Sequence, residues 1–230
     1  KFLIQILFAK ITKPKNLYVP QKKIVLFHHC VNSYSKKIKK KSICNYFFDL
    51  PYLLKKKKNL EISGLFWTYS GYLNLDFYKS MRDHNSFVPQ DWLNLGDYFK
   101  IFFHLKKIKE CLKKKLEYKK NLNIDSLVNL EIKEQETTSA YKFLIYKPAL
   151  MKWSQNLKEL IIFDQYQNMT FEHVLRYVCK QLNIKTKTLG YHHSLMSEDF
   201  LGYQNLKKEW ESSSRPDKVI TIGKFAKRFL

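Results

Sequence analysis

The chain has 230 residues with a formal net charge of +22, 45% hydrophobic and 16% aromatic residues, six Gly and six Pro. That apolar content supports a substantial core and excludes bulk disorder, collagen-like repeats and low-complexity linkers. No uninterrupted apolar run approaches the roughly 18 residues that span a bilayer.

The charge is uneven. Residues 1–120 hold 26 basic and 8 acidic side chains, residues 121–230 hold 16 and 12. The front of the chain therefore carries the field, which draws phosphates of nucleic acid, anionic lipid or a sugar-diphosphate carrier. The basic set is 38 Lys and 4 Arg. Arginine is the side chain suited to bidentate base reading, so its scarcity argues against a sequence-specific nucleic-acid partner. A general bias towards Lys, Ile, Asn and Phe is the competing reading, in which the lysines are a solvated surface.

The segment 23–29, KIVLFHH, reads as a buried strand. Residues 42–58 read as a helix that Pro51 kinks. Residues 62–69, ISGLFWTY, read as a second strand. A helix over 91–120 follows, lysine-rich on one side, with Phe99, Phe102 and Phe103 expected in the core. A second long helix covers 126–156, weakened at Pro148. The strand LIIF at 160–163 ends in Asp164. Asn168 or Thr170 caps the next helix, whose Phe171, Val174, Leu175, Val178 and Leu182 share one face. A strand at 187–191 enters His192, His193 and Ser194. The polar stretch 197–215 precedes a strand at 218–223 and a helix start at 224–230. Strands alternating with helices in this way imply a parallel α/β sheet covered by helices.

In such sheets ligands sit beyond the carboxyl ends of the strands. The residues placed there are His28 and His29, residues 69–72, Asp164 and Gln165, and residues 191–194. Neighbouring strand residues face opposite sides, so only one of His28 and His29 meets a given ligand. Gly190 permits a close backbone approach before the paired imidazoles, which can move a proton or bind a hydroxyl or phosphate. Glu172 lies in the first turn of its helix, where the dipole favours a carboxylate. Loop and cap roles account equally for these residues. The cysteines 30, 44, 111 and 179 are widely spaced, with no zinc spacing and no disulfide framework, and read as reduced thiols. No P-loop, G-x-G-x-x-G, G-x-S-x-G or H-E-x-x-H occurs, and no metal site is expected.

Three segments carry a resemblance. Residues 42–54, SICNYFFDLPYLL, resemble the Y-F-x-D-L-P-x-L-L helix of a family of surface-carbohydrate biosynthesis proteins similar to glycosyltransferases of the two-domain GT-B architecture. The Phe171-Glu172 helix with TLGYHHS at 188–194, and RPDKVITIG at 215–223, are similar to that family's crossing between domains. The resemblance implies a Rossmann-like amino-terminal, acceptor-side domain over 1–215. Residues 216–230 would be the first strand and helix start of a truncated donor domain. It further implies sugar transfer from a nucleotide-sugar co-substrate, with no other cofactor, to a lipid-linked or glycan acceptor of a bacterial surface polysaccharide. The setting would be cytoplasmic, peripheral on the inner membrane face. On this reading His193, Glu172 and His192 are catalytic. Tyr191, Ser194, Asp164 and His29 contact substrate. Lys55, Lys56, Lys57, Lys58, Lys113 and Lys114 meet phosphates of an anionic membrane, with no specific nucleic acid as partner. The alternative is a basic nucleic-acid-binding or membrane-surface module without catalysis.

Overall fold

The structure is a computed structural model describing residues 2–30, 50–58, 60–67, 86–117, 140–166, 170–192 and 214–221, with residues 47, 75, 78 and 79. Its elements in chain order begin with α1 (Phe2–Ile11), β1 (Lys22–Cys30), α2 (Leu50–Lys58), β2 (Ile62–Trp67) and β3 (Ser86–Phe87). A 3-10 turn (Pro89–Trp92), α3 (Leu95–Glu117) and α4 (residues 140–153) follow. The chain continues through β4 (Leu157–Gln165), α5 (Thr170–Lys180), β5 (Lys185–His192) and β6 (Lys218–Thr221).

All six strands form one parallel sheet in the order β3-β2-β1-β4-β5-β6. This is a Rossmann-like α/β arrangement. Lys218–Thr221 pairs with β5 as the sixth strand of this sheet. Its carboxylate neighbour makes the join. Asp217 accepts bonds from the Thr188 backbone N–H at 2.6 Å and hydroxyl at 3.0 Å, and it pairs with Lys180 of α5.

β1 and β4 are apolar on both faces because both are covered. Ile24 and Leu26 of β1, with Leu160 and Ile162 of β4, pack on one side with Ile101 of α3, Ala149, Leu150 and Trp153 of α4, and Leu175 and Val178 of α5. Val25, Phe27 and Phe163 point to the other side, where Phe47 and the α2 residues Leu50 and Leu54 cover them. Phe27 stacks on Phe163 and meets Phe47 edge-on, with centroids 5.0 and 5.1 Å apart.

Local chemistry sets the boundaries. Leu50 N–H bonds the Phe47 carbonyl in a turn, and Pro51 stands in the first turn of α2. Its fixed φ suits the first turn, where its missing N–H costs no helical bond. A reciprocal cap starts α3: Asn94 Oδ1 accepts from Asp97 N–H and Asp97 Oδ2 accepts from Asn94 N–H, both at 2.8 Å. The cap sets the α3 start at Leu95, after the expected 91. Pro148 lies inside α4 without ending it. A turn at Ser154 then leads straight into β4, so the helix stops short of the expected 156. The expected elements over 126–139, 197–213 and 224–230, and the start of the helix over 42–58, lie largely outside the described residues.

Phe99, Phe102 and Phe103 were expected in the core and are exposed. Tyr98 and Ile101 are buried and Leu105 packs against the core, which sets the inward side of α3 and turns the three phenylalanines outward.

Candidate functional site

The chain runs outward from β1 to β3 on one side and from β4 to β6 on the other. The connections therefore diverge between β1 and β4, and the carboxyl ends of these two strands border the crevice where such sheets bind ligands. His28 and Asp164 stand there. The register places Phe27 opposite Phe163, so the next residues are neighbours on the face covered by α4 and α5.

His28 Nδ1 is 3.0 Å from Asp164 Oδ1, and His28 Nε2 is 3.3 Å from the Tyr146 hydroxyl of α4. Both His28 and Asp164 are fully buried. Burial pushes the His28 pKa below its ordinary value, against the opposing pull of the Asp164 bond and charge. The imidazole is therefore neutral at pH 7. An ionised carboxylate only accepts, so Nδ1 carries the proton and donates to Asp164. Nε2 is left as an acceptor for the Tyr146 O–H. Asp164 thus fixes the tautomer, as a carboxylate does for a general-base histidine.

Asp164 is shared with α5. Arg176 Nη2 lies 3.0 Å from Asp164 Oδ2, 3.1 Å from Glu172 Oε2 and 3.1 Å from the Gln165 carbonyl it donates to. Arg176 Nη1 donates to the Ser214 carbonyl at 3.5 Å, and the guanidinium carbon sits 5.4 Å from the Tyr166 ring centre. Arg176, Glu172 and Asp164 are all fully buried. A buried carboxylate needs such a partner, because desolvation costs several kcal/mol per ion. Glu172 and Arg176 stand four apart and meet on one helix face. The result is a connected line from Tyr146 through His28, Asp164 and Arg176 to Glu172.

The expected site residues divide around this line. Asp164 is the partner of His28, and the side chain of His29 lies outside the described residues. Glu172 pairs with Arg176, and Asp164 is the carboxylate bonded to His28. His192 ends β5, fully buried, and shares the sheet face of Asp164 and Gly190. Tyr191 faces the other way, against Phe47 with centroids 5.8 Å apart. His193 and Ser194 lie outside the described residues. The close approach at Gly190 is made by the protein itself: a Cβ there would lie 3.1 Å from both Pro216 Cγ and Tyr166 Cβ. Lys55 and Lys56 are exposed on α2. Lys57 and Lys58 continue α2, and Lys113 and Lys114 lie on α3, with side chains outside the described residues.

Arg176 and Tyr146 were missed. Arg176 had a signal, an Arg four residues after Glu172 on the same helix; Tyr146 had none. A separate hollow, lined by Asn16, Tyr18, Ser63, Ser86, Phe87 and Trp92, lies on the β2–β3 side and includes no member of the His28 line. Among the described residues no three His, Cys, Asp or Glu side chains group to hold a metal ion. Cys179 is a buried free thiol whose pKa burial pushes up, which leaves it unreactive.

No protein-family model matches the chain, no curated protein matches it in sequence, and no solved structure matches it in fold.

Proposed function

We propose that this chain is the acceptor-side domain of a glycosyltransferase of GT-B type, moving a sugar from a nucleotide-sugar to a surface-polysaccharide acceptor. The observation that carries the reading is the carboxylate-oriented imidazole, His28 with Asp164, at the carboxyl ends of the two strands where the parallel sheet changes direction. His192 adds a second imidazole on the same face, one strand beyond β4. The three motif segments that resemble surface-carbohydrate enzymes supply the substrate class. The step the domain contributes is deprotonation of an acceptor hydroxyl by His192 or His193, since both ring nitrogens of His28 are taken by Asp164 and Tyr146; the acceptor oxygen then bonds the anomeric carbon as the donor's nucleoside diphosphate leaves. His193 and Ser194 follow β5 in the sequence.

Calorimetric titration of the chain with lipid-linked and free saccharides tests this. Saccharide binding is expected, weakened about tenfold in His192→Ala, the worth of one good hydrogen bond. Far-UV circular dichroism of the variant should match the parent. Absence of saccharide binding, or equal binding by the variant, ends the proposal.

One observation favours a second reading, a basic binding module without catalysis. Phe99, Phe102 and Phe103 are exposed among lysines on α3 instead of filling the core.

A further inference from the structure

At 100° per residue, Leu95, Phe99, Phe102 and Phe103 fall within an arc of about 100° on the outer side of α3. They are 72%, 65%, 59% and 64% exposed. Four large apolar side chains in one open stripe are a marker of an interaction surface. α1 lies beside the start of this helix. Lys10 Nζ donates to the Leu93 carbonyl at 2.7 Å and lies over the Tyr98 ring, which holds α1 beside the first turn of α3. Leu7 and Ile11, which flank Lys10 along α1, are exposed.

The charges around the stripe select its partner. Lys100 and Lys107 project on one flank of the phenylalanine arc and Lys109 on the other, all exposed. Lys106 continues the arc itself one turn further along. α3 as a whole holds seven lysines, three acidic residues and no arginine. Phenylalanine and leucine in a stripe, with lysines on both flanks, is the pattern of a helix lying in the plane of a membrane interface. The apolar side chains enter the acyl boundary, and the lysine stems reach back to the phosphates. A single-stranded nucleic acid calls for a groove with stacking aromatics, and here the surface is a convex helix edged with aliphatic side chains.

We infer that the outer face of α3 docks this domain on an anionic lipid bilayer by in-plane insertion of Phe99, Phe102 and Phe103. This deepens the second reading above and stands apart from sugar transfer, since lipid binding is measured without any saccharide. Among the described residues no helix is long and apolar enough to cross a membrane, so the contact is with the surface.

Flotation of the whole chain with phosphatidylcholine vesicles, with and without phosphatidylglycerol, tests the inference. The chain should float with the anionic vesicles and not with the neutral ones. The triple variant Phe99→Ser, Phe102→Ser, Phe103→Ser should lose about tenfold or more in partitioning, with an unchanged melting temperature because none of the three is in the core. In a second variant, Phe99→Trp, indole emission should shift to the blue on anionic vesicles. Parent-like flotation of the triple variant, or no emission shift, overturns the insertion. So does aromatic-dependent binding to single-stranded DNA with no flotation. In each case the saccharide titration still reports on sugar transfer by itself.

Discussion

Replacing Arg176 by Met removes the one guanidinium that contacts both Asp164 Oδ2, at 3.0 Å, and Glu172 Oε2, at 3.1 Å. Methionine fills most of the volume, so the loss is electrostatic more than steric. Two buried carboxylates then face each other with this cation gone, and the Gln165 carbonyl loses its 3.1 Å donor. Breaking a buried ion pair from one side costs about 3–5 kcal/mol. For a chain of this size each kcal/mol lowers the melting temperature by about 2–4 °C, so a drop on the order of 10 °C is expected. Adding Asp164→Asn and Glu172→Gln removes both carboxylate charges and should recover most of the loss. The assay is thermal unfolding by circular dichroism. A deficit under about 1 kcal/mol, or no recovery in the triple variant, refutes the account.

Other expectations concern single contacts. His28 has a depressed pKa because it is buried, so the unfolded chain takes its proton first. The stability it leaves intact above the ordinary value of 6.5 is lost as pH falls through that value towards the folded one. His28→Gln should flatten the melting-temperature profile in that window, and an unchanged slope would exclude His28 as its source. Gly190→Ala presses a methyl against Tyr166 and Pro216 and should cost about 1–3 kcal/mol in urea unfolding; a neutral result would mean the β5–β6 join yields freely. Asp217→Ala removes two bonds to Thr188 and the Lys180 pair. It should speed amide exchange across β6 by about tenfold or more, with β1 and β4 unaffected.

The sheet was legible because its inner strands are covered on both faces and so read as unbroken apolar runs. KIVLF and LIIF mark β1 and β4 for that reason. β3, a two-residue strand at Ser86–Phe87, was too short to leave a pattern, and α1 was not among the expected elements. α3 misled because both its faces are apolar in the first three turns. Periodicity does not say which of two apolar stripes turns inward, and Tyr98 and Ile101 took the core. The rim of the sheet was found from strand ends alone, which placed Asp164 and a histidine beside it. The assignment of partners was not legible. Arg176 stands four residues after Glu172 and pairs with it across one helix turn. Asp164 reaches His28 only through the pairing of two strands far apart in the chain.

That pairing governs how the molecule can be made. β1 and β4 are adjacent in space, yet Lys22 and Leu157 register across 135 residues of sequence. At about 5–20 residues per second on a ribosome, β1 waits on the order of ten seconds for its neighbour. Through that interval the nascent half-sheet shows one unpaired, oily margin, and Lys22 and Lys23 at its entrance are the charges that discourage a neighbouring chain from taking the place of β4.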